Sequence, residues 1–205
     1  MEGGKKDLEK LRLNAVKYGA SKAAIIPARD VVVDPRVRLK CMIPVCAGYG
    51  VNLMCPPNVM TPGEFSRVLS RYDHAMLLQS PIKTDREFMD LVRTDKPLSE
   101  VRMEKKYFDT LAKSGRDLVD LLCKLESDAL KLDYRFATGL SGGPCRICDK
   151  CVGQKSGNPC RHPFMARPAM EAVGIDVFET ARKAGMPFEF PADKNPTWTA
   201  LLLVD

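Results

Sequence analysis

Residues 134–163 read YRFATGLSGGPCRICDKCVGQKSGNPCRHP, and this stretch joins a predicted strand to a cluster of cysteines. The alternating residues of Tyr134–Ala137 predict a short β-strand. The segment 139–144 that follows is rich in glycine and ends in proline, which predicts a turn. Within the next sixteen residues come four cysteines, at positions Cys145, Cys148, Cys151 and Cys160. The stretch therefore predicts a sheet that carries a cysteine-rich, metal-binding loop.

The spacing of these cysteines indicates which metal the loop holds. Three thiols separated by two residues can wrap around one corner of a cubane, and a fourth from further along completes the set. Bacterial ferredoxins share the C-x2-C-x2-C core, although their fourth cysteine follows after three residues and Cys160 follows after eight. Zinc sites more often join two C-x2-C pairs across a longer spacer. The pattern favours an iron–sulfur cluster, with zinc as the alternative.

Another group of cysteines, Cys41, Cys46 and Cys55, lies earlier in the chain and ends in Pro56-Pro57. Three thiols suit a cluster whose fourth ligand comes from elsewhere in the protein, from water or from a substrate. An iron without a thiolate can act as a Lewis acid, as zinc does at an open site. The alternative is that all seven cysteines serve two clusters with exchanged ligands, as in two-cluster ferredoxins.

The remaining candidate residues carry weaker signals. His162 follows Cys160 by two residues and is expected near the metal rather than on it. His162, Arg161 and Tyr49 are candidates for charge or proton work beside a cluster, and a ligand role for His162 is the alternative. His74 begins a predicted strand and is expected to be structural, and Cys123 falls in a long predicted helix as a buried free thiol.

The positive charge of the chain is concentrated around the cysteines. Residues 36–58 hold three basic side chains and no acid, and residues 141–168 hold five against one acid. Their combined excess is larger than the whole net charge of +6. A four-iron cluster with four thiolates carries a charge of about −2 in its usual oxidised form, and nearby cations tune its potential. We interpret the excess as compensation for an anionic cofactor, and nucleic-acid binding is not expected because no basic stripe interleaved with aromatic residues is present.

Length and composition predict a single compact domain over residues 1–205. With 205 residues, 45% of them hydrophobic, the chain can bury a core without help from a metal. The sequence has no stretch typical of a signal peptide or a membrane span, which predicts a cytoplasmic protein without a membrane partner. Cysteines in that compartment bind metals or do redox chemistry more often than they form disulfides.

Apolar periodicity predicts a mixture of helices and strands, and so an α/β or α+β fold with a small mixed sheet and packed helices. The first cysteine loop, about 36–58, and the second cysteine loop, about 141–168, each follow a predicted strand. We therefore expect the two loops to meet at one end of the sheet. The predicted helices are 8–18, one capped by Thr61, one capped by Thr84, 99–132, 167–173 and one capped by Asp176; the predicted strands are 23–26, 31–33, 75–78, 134–137 and 197–204.

Taken together, the two cysteine groups resemble a cysteine-rich family of predicted metal-binding proteins, over about residues 15–190. The resemblance implies a metal-binding role for seven cysteines, leaves Cys123 outside the pattern and implies no particular reaction. The matching residues are Cys41, Cys46, Tyr49-Gly50, Cys55-Pro56-Pro57, Cys145, Cys148, Cys151, Cys160-Arg161-His162-Pro163, 167–172 and 174–177.

Three functional hypotheses follow from the sequence. The first is a redox protein that holds one or two 4Fe–4S clusters and passes electrons to a partner protein. The second is a cluster-dependent enzyme in which an open iron at Cys41, Cys46 and Cys55 binds a small molecule. The third is a zinc-binding structural or interaction module, because the same thiolates suit zinc.

Overall fold

Two strands built largely from aliphatic residues form the centre of the fold. The computed structural model describes residues 2–101, 104–188 and 196–205. Its four-stranded sheet has the order β1-β2-β4-β3, and every neighbouring pair is antiparallel. The central pair, β2 and β4, is buried on both faces along most of its length. The strands are β1 Lys22–Pro27, β2 His74–Pro81, β3 Thr138–Leu140 and β4 Thr197–Val204.

Alternate side chains of a strand point to opposite sides of a sheet. In β2 and β4 the side chains on both sides are apolar, and helices cover both faces of the sheet. Met76 and Leu202 point to one face, where they pack with Leu11 of the first helix and Leu122 of the longest. Leu77 and Leu201 point to the other face, towards a second apolar cluster. The helices are α1 Glu2–Lys17, α2 Leu39–Met42, α3 Pro62–Leu69, α4 Arg86–Val92, α5 Leu98–Val101, α6 Lys105–Lys131 and α7 Val177–Lys183.

The second apolar cluster contains α3, α7 and the segment between the second cysteine loop and α7. Its members include Phe65 of α3 and Ala181 of α7, and also Met170 and Ile175 of the segment before α7. The fold is therefore α+β, as the sequence predicted, but its sheet is antiparallel rather than mixed. Within the described residues, no helix combines the length and the apolar character that a bilayer span needs.

Local capping signals predicted several helix ends correctly. Thr61 and Glu64 form the reciprocal hydrogen bonds of a capping box at the start of α3. Asp176 accepts a hydrogen bond from the N–H of Glu179 at the start of α7. The helix expected after Thr84 begins one residue later, because Asp85 accepts the hydrogen bond from the N–H of Phe88.

Four sequence predictions of secondary structure were wrong in extent or type. The helix predicted over 99–132 is two helices, since α5 ends at Val101 and α6 begins at Lys105. The strand predicted at 134–137 lies at Thr138–Leu140, where the side chains pack on β4 and α6. The expected strand at 31–33 is reduced to one bridge to Ile175, and the helix expected over 167–173 is a 3-10 turn at Glu171–Val173.

Gly174 ends this 3-10 turn and lies against the start of α3. Its φ of 91° lies in the left-handed region, which favours glycine. A Cβ atom at this position would come within 2.8 Å of the ring of Pro62. The close approach fixes the chain that leaves the second cysteine loop against the helix that follows the first.

Candidate metal centre

The two cysteine loops contact each other, as expected from the sequence. The Asn52 side chain of the first loop donates a hydrogen bond to the carbonyl oxygen of Cys145 over 3.1 Å. The backbone N–H of Leu53 points to the Sγ atom of Cys151 at 3.5 Å. The second loop follows β3, whereas the first contains helix α2, on which Cys41 lies, and the strand predicted before it is only a bridge at Val33. One surface of the molecule therefore carries both groups of cysteines.

Gln154 of the second loop fixes the first loop in place. Its Nε2 atom donates to the carbonyl oxygens of Asn52 at 2.7 Å and Cys55 at 3.0 Å. Its backbone N–H donates to the carbonyl oxygen of Val51 at 3.0 Å. The side-chain amide thus adds a second hydrogen bond to two carbonyls that already accept one from the turns of the first loop, which ties the two loops together.

Four thiols of the second loop line one small cavity, together with His162 and with Asn52, Leu53 and Met54 of the first loop. The cavity encloses about 20 Å³, little more than one water needs. In the part of the chain that the structure describes, no three His, Cys, Asp or Glu side chains already have the close approach of bound-metal ligands. The four thiols are those of Cys145, Cys148, Cys151 and Cys160.

Backbone N–H groups point to two of these four sulfurs. The N–H of Leu53 lies 3.5 Å from Cys151 Sγ, and the N–H of His162 lies 3.4 Å from Cys160 Sγ. A thiolate attracts such donors, and N–H···S contacts are one of the levers on the potential of an iron–sulfur cluster. The donor set therefore fits a thiolate-bound metal or cluster in its chemistry.

The first group of cysteines is graded from surface to interior. Cys46 is exposed, Cys41 is half-buried and Cys55 is buried. Burial, followed by the charges of Cys46, Cys41, Cys145 and Cys151, raises the pKa of Cys55 to about 12. Burial and Cys46 raise the pKa of Cys41 in the same way. Cys55 therefore lies close enough to feel thiols of both loops.

This raised pKa predicts an order of chemical reactivity in metal-free protein. At pH 8 a thiol with a pKa of about 12 is ionised in only about one molecule in ten thousand, and the thiolate is the reacting form. We expect iodoacetamide to modify exposed Cys46 first and Cys55 last, as measured by peptide mass spectrometry over time. Labelling of Cys55 as fast as Cys46 would show that the site opens freely without metal.

The basic side chains around the cysteines are not all free to balance a cofactor. Arg36 forms an ion pair with Asp34 at 2.5 Å. Arg167 forms a half-buried pair with Glu126 of α6, with a distance of 2.9 Å from Nε to Oε1. Arg36 and Arg167 each pair with an acid outside the cysteine loops. Six of the eight basic residues in the two loops are therefore left to compensate the charge of a cofactor.

The sequence analysis missed a buried carboxyl group beside the first loop. Glu171 Oε2 is buried and has no hydrogen-bond partner. Burial raises the pKa of Glu171, opposed by backbone N–H groups that include that of Gly143 and by the charge of Lys40. The carboxylate also raises the pKa of Cys41. Only the family-like segment 167–172 hinted at this residue, and nothing in its spacing indicated burial.

The weaker candidates have mixed outcomes. His162 lines the four-thiol cavity. Arg161 donates a hydrogen bond from Nη1 to the carbonyl oxygen of Lys150 at 2.9 Å, so it braces the second loop. Tyr49 is half-buried in the first loop, and His74 begins β2 as the sequence predicted. Cys123 is half-buried rather than buried, on α6, with Sγ 3.9 Å from the carbonyl oxygen of Phe164.

The fold and the two thiol-rich loops define a cysteine-rich metal-binding protein of the α+β class, in which all eight cysteines are unpaired. The chain belongs to the family described as "Predicted metal-binding protein (DUF2284)", whose model matches residues 24–204. The resemblance expected from the cysteine motifs is thereby confirmed. Neither a comparison with curated proteins nor one with solved structures found a match.

Proposed function

We propose that the chain holds a 4Fe–4S cluster at Cys145, Cys148, Cys151 and Cys160 and passes electrons to a partner protein. The observation that carries this proposal is the small cavity that all four thiols line. Four thiolates are the usual ligands of such a cluster, and three of these are separated by two residues each. The cluster, when bound, supplies one-electron transfer.

The surroundings of these thiols support an anionic, redox-active group. The N–H groups of Leu53 and His162 stabilise negative charge on the sulfurs to which they point. Lys150 and Arg161 add positive charge within the same loop. Hydrogen bonds to the sulfurs and nearby positive charge favour the more negative redox state and so raise the potential.

The three cysteines of the first loop support a second site. If the site holds another cluster, one iron is left for a ligand other than cysteine, and the exposure of Cys46 leaves this end within reach of a small molecule. A cluster-dependent enzyme with an open iron is therefore our second candidate. Cys145 and Cys151 influence the pKa of Cys55, so thiols of the two loops lie near one another. This proximity supports the alternative in which each loop contributes a ligand to the cluster of the other.

The state of the cysteines supports a location for the protein. Eight unpaired cysteines support a reducing, cytoplasmic location, where thiols are not oxidised to disulfides.

A zinc-binding structural or interaction module is the competing proposal, since zinc binds the same thiolates. Zinc has no redox chemistry, so the two proposals differ in a directly measurable property.

The test is the content of iron, acid-labile sulfide and zinc in protein purified without oxygen. We expect about four or about eight each of iron and sulfide per chain, for one or two clusters, with visible absorbance that a strong reductant bleaches reversibly. Zinc near one or two per chain with no sulfide would replace the redox proposal with the zinc module.

A further inference from the structure

A second cavity, of about 280 Å³, lies between helix α6 and both cysteine loops. The first loop contributes Val51 and Asn52 to its wall, and α6 contributes Phe108 and Arg116. Arg146 of the second loop lines it as well, next to the thiols of Cys145, Cys148 and Cys151. Its volume is close to that of a small-molecule site, and it differs from the four-thiol cavity in its charge.

The side chain of Arg146 is held along α6 by contacts with that helix. Its guanidinium carbon lies 5.0 Å from the centre of the Phe108 ring, in a cation–π arrangement. Its Cδ atom lies beside Gly115, at 3.6 Å from where a Cβ atom of that residue would be, so the arginine stem runs along the surface of α6. Phe108 is itself 49% exposed, so the cation–π pair lies where the cavity meets solvent.

The guanidinium of Arg146 is left without a counter-charge. Its Nε atom is buried and has no hydrogen-bond partner. No carboxylate of the described residues forms an ion pair with it. A buried charged donor that is not paired costs free energy unless something else completes its hydrogen bonds.

The other charged groups that line the cavity are mainly cations. Arg116 donates a hydrogen bond from Nη1 to the carbonyl oxygen of Arg146 at 3.3 Å, which brings a second guanidinium to the same wall. Lys150 is a third cation, and Asp149 is the acid among these lining residues. Arg116, Lys150 and Asp149 are all exposed, so the half-buried Arg146 supplies the charge in the inner part of the cavity.

We propose that this cavity binds a small oxyanion, a carboxylate or a phosphate, through the guanidinium groups of Arg146 and Arg116. The planar fork of a guanidinium matches two oxygens of either anion, and desolvation strengthens that contact. The bound molecule would lie beside Cys145 and Cys148. The site is built from protein side chains and requires no particular metal on the thiols, whereas the use of the molecule as a substrate or effector of a cluster rests on the proposed function.

The experiment is calorimetric titration of anaerobically purified protein with malonate and with inorganic phosphate, each at constant ionic strength. We expect saturable binding of at least one anion below about 10 mM. Arg146→Gln should weaken that binding by about tenfold to a hundredfold, and Arg116→Gln, at an exposed residue, by about threefold to tenfold. The matched control is Arg135→Gln, which removes an equal charge from an exposed position outside the cavity and should leave the affinity unchanged.

The outcomes separate the two anion classes and the two proposals. Saturation by malonate alone identifies a carboxylate site, and saturation by phosphate alone identifies a phosphate site. No binding of either anion, or equal affinity in the wild type and in both the Arg146→Gln and Arg116→Gln variants, overturns the proposal. Iron and sulfide are assayed on the same sample, so anion binding in protein without iron would support this site while the redox proposal fails.

Discussion

Replacing Cys148 with alanine should remove about four iron atoms and about four sulfides per chain from protein purified without oxygen. Cys148 is the middle member of the three closely spaced cysteines and lines the cavity with the other thiols of its loop. Its loss removes one of the four proposed ligands, and Cys123, which does not line that cavity, cannot replace it. The visible absorbance should fall in proportion to the iron.

Cys123→Ala is the matched control for this experiment. It also removes one half-buried thiol, but from α6 and outside the cysteine pattern of the family-like motifs. We expect the iron and sulfide contents to stay at the wild-type level. Equal iron loss in both variants would mean that general destabilisation rather than ligation explains the effect, and full iron in Cys148→Ala would refute the assigned ligand set.

Glu126→Ala should lower the free energy of unfolding by about 3–5 kcal/mol, because it leaves the largely buried guanidinium of Arg167 without its carboxylate partner. The side chains of Arg167 and Glu126 are only 14% and 17% exposed. Glu126 also accepts a hydrogen bond of 2.6 Å from the N–H of Gly139 in β3. The carboxylate therefore joins the strand before the second cysteine loop to the end of that loop.

The measurement is urea unfolding followed by circular dichroism, and the control lies on the same helix. Asp117 forms a 3.0 Å ion pair with Lys83, but these side chains are 43% and 71% exposed. Asp117→Ala should cost less than about 1 kcal/mol, as is usual for pairs in contact with water. A Glu126→Ala cost no greater than that of Asp117→Ala would show that the buried pair adds no stability.

The sequence predicted the elements whose signals are local. The strand at Thr197–Val204 was predicted with its observed ends, since an aliphatic run between polar residues has few alternatives. The start of α3 followed from Thr61, Pro62 and Glu64, whose capping interactions involve only neighbouring residues. The predicted class and the contact between the cysteine loops were confirmed as well.

The features that depend on distant contacts could not be predicted in this way. Phe136 made 134–137 resemble a strand, but its side chain is 65% exposed and the pairing with β4 begins at Thr138. The pairing of Arg167 with Glu126 spans 41 residues of sequence. Gln154 and Arg146 carry no motif, and their roles become visible only when the first loop and α6 lie beside them.

The position of β4 has a consequence for how the protein is made. β4 lies between β2 and β3, yet both cysteine loops precede it along the chain. During synthesis on the ribosome, both loops emerge before the strand that completes the sheet is available. The thiols are then held by an unfinished scaffold, so stable metal loading should follow completion of translation through β4. Nascent chains arrested before residue 197 should accordingly fail to retain metal even when every cysteine has been made.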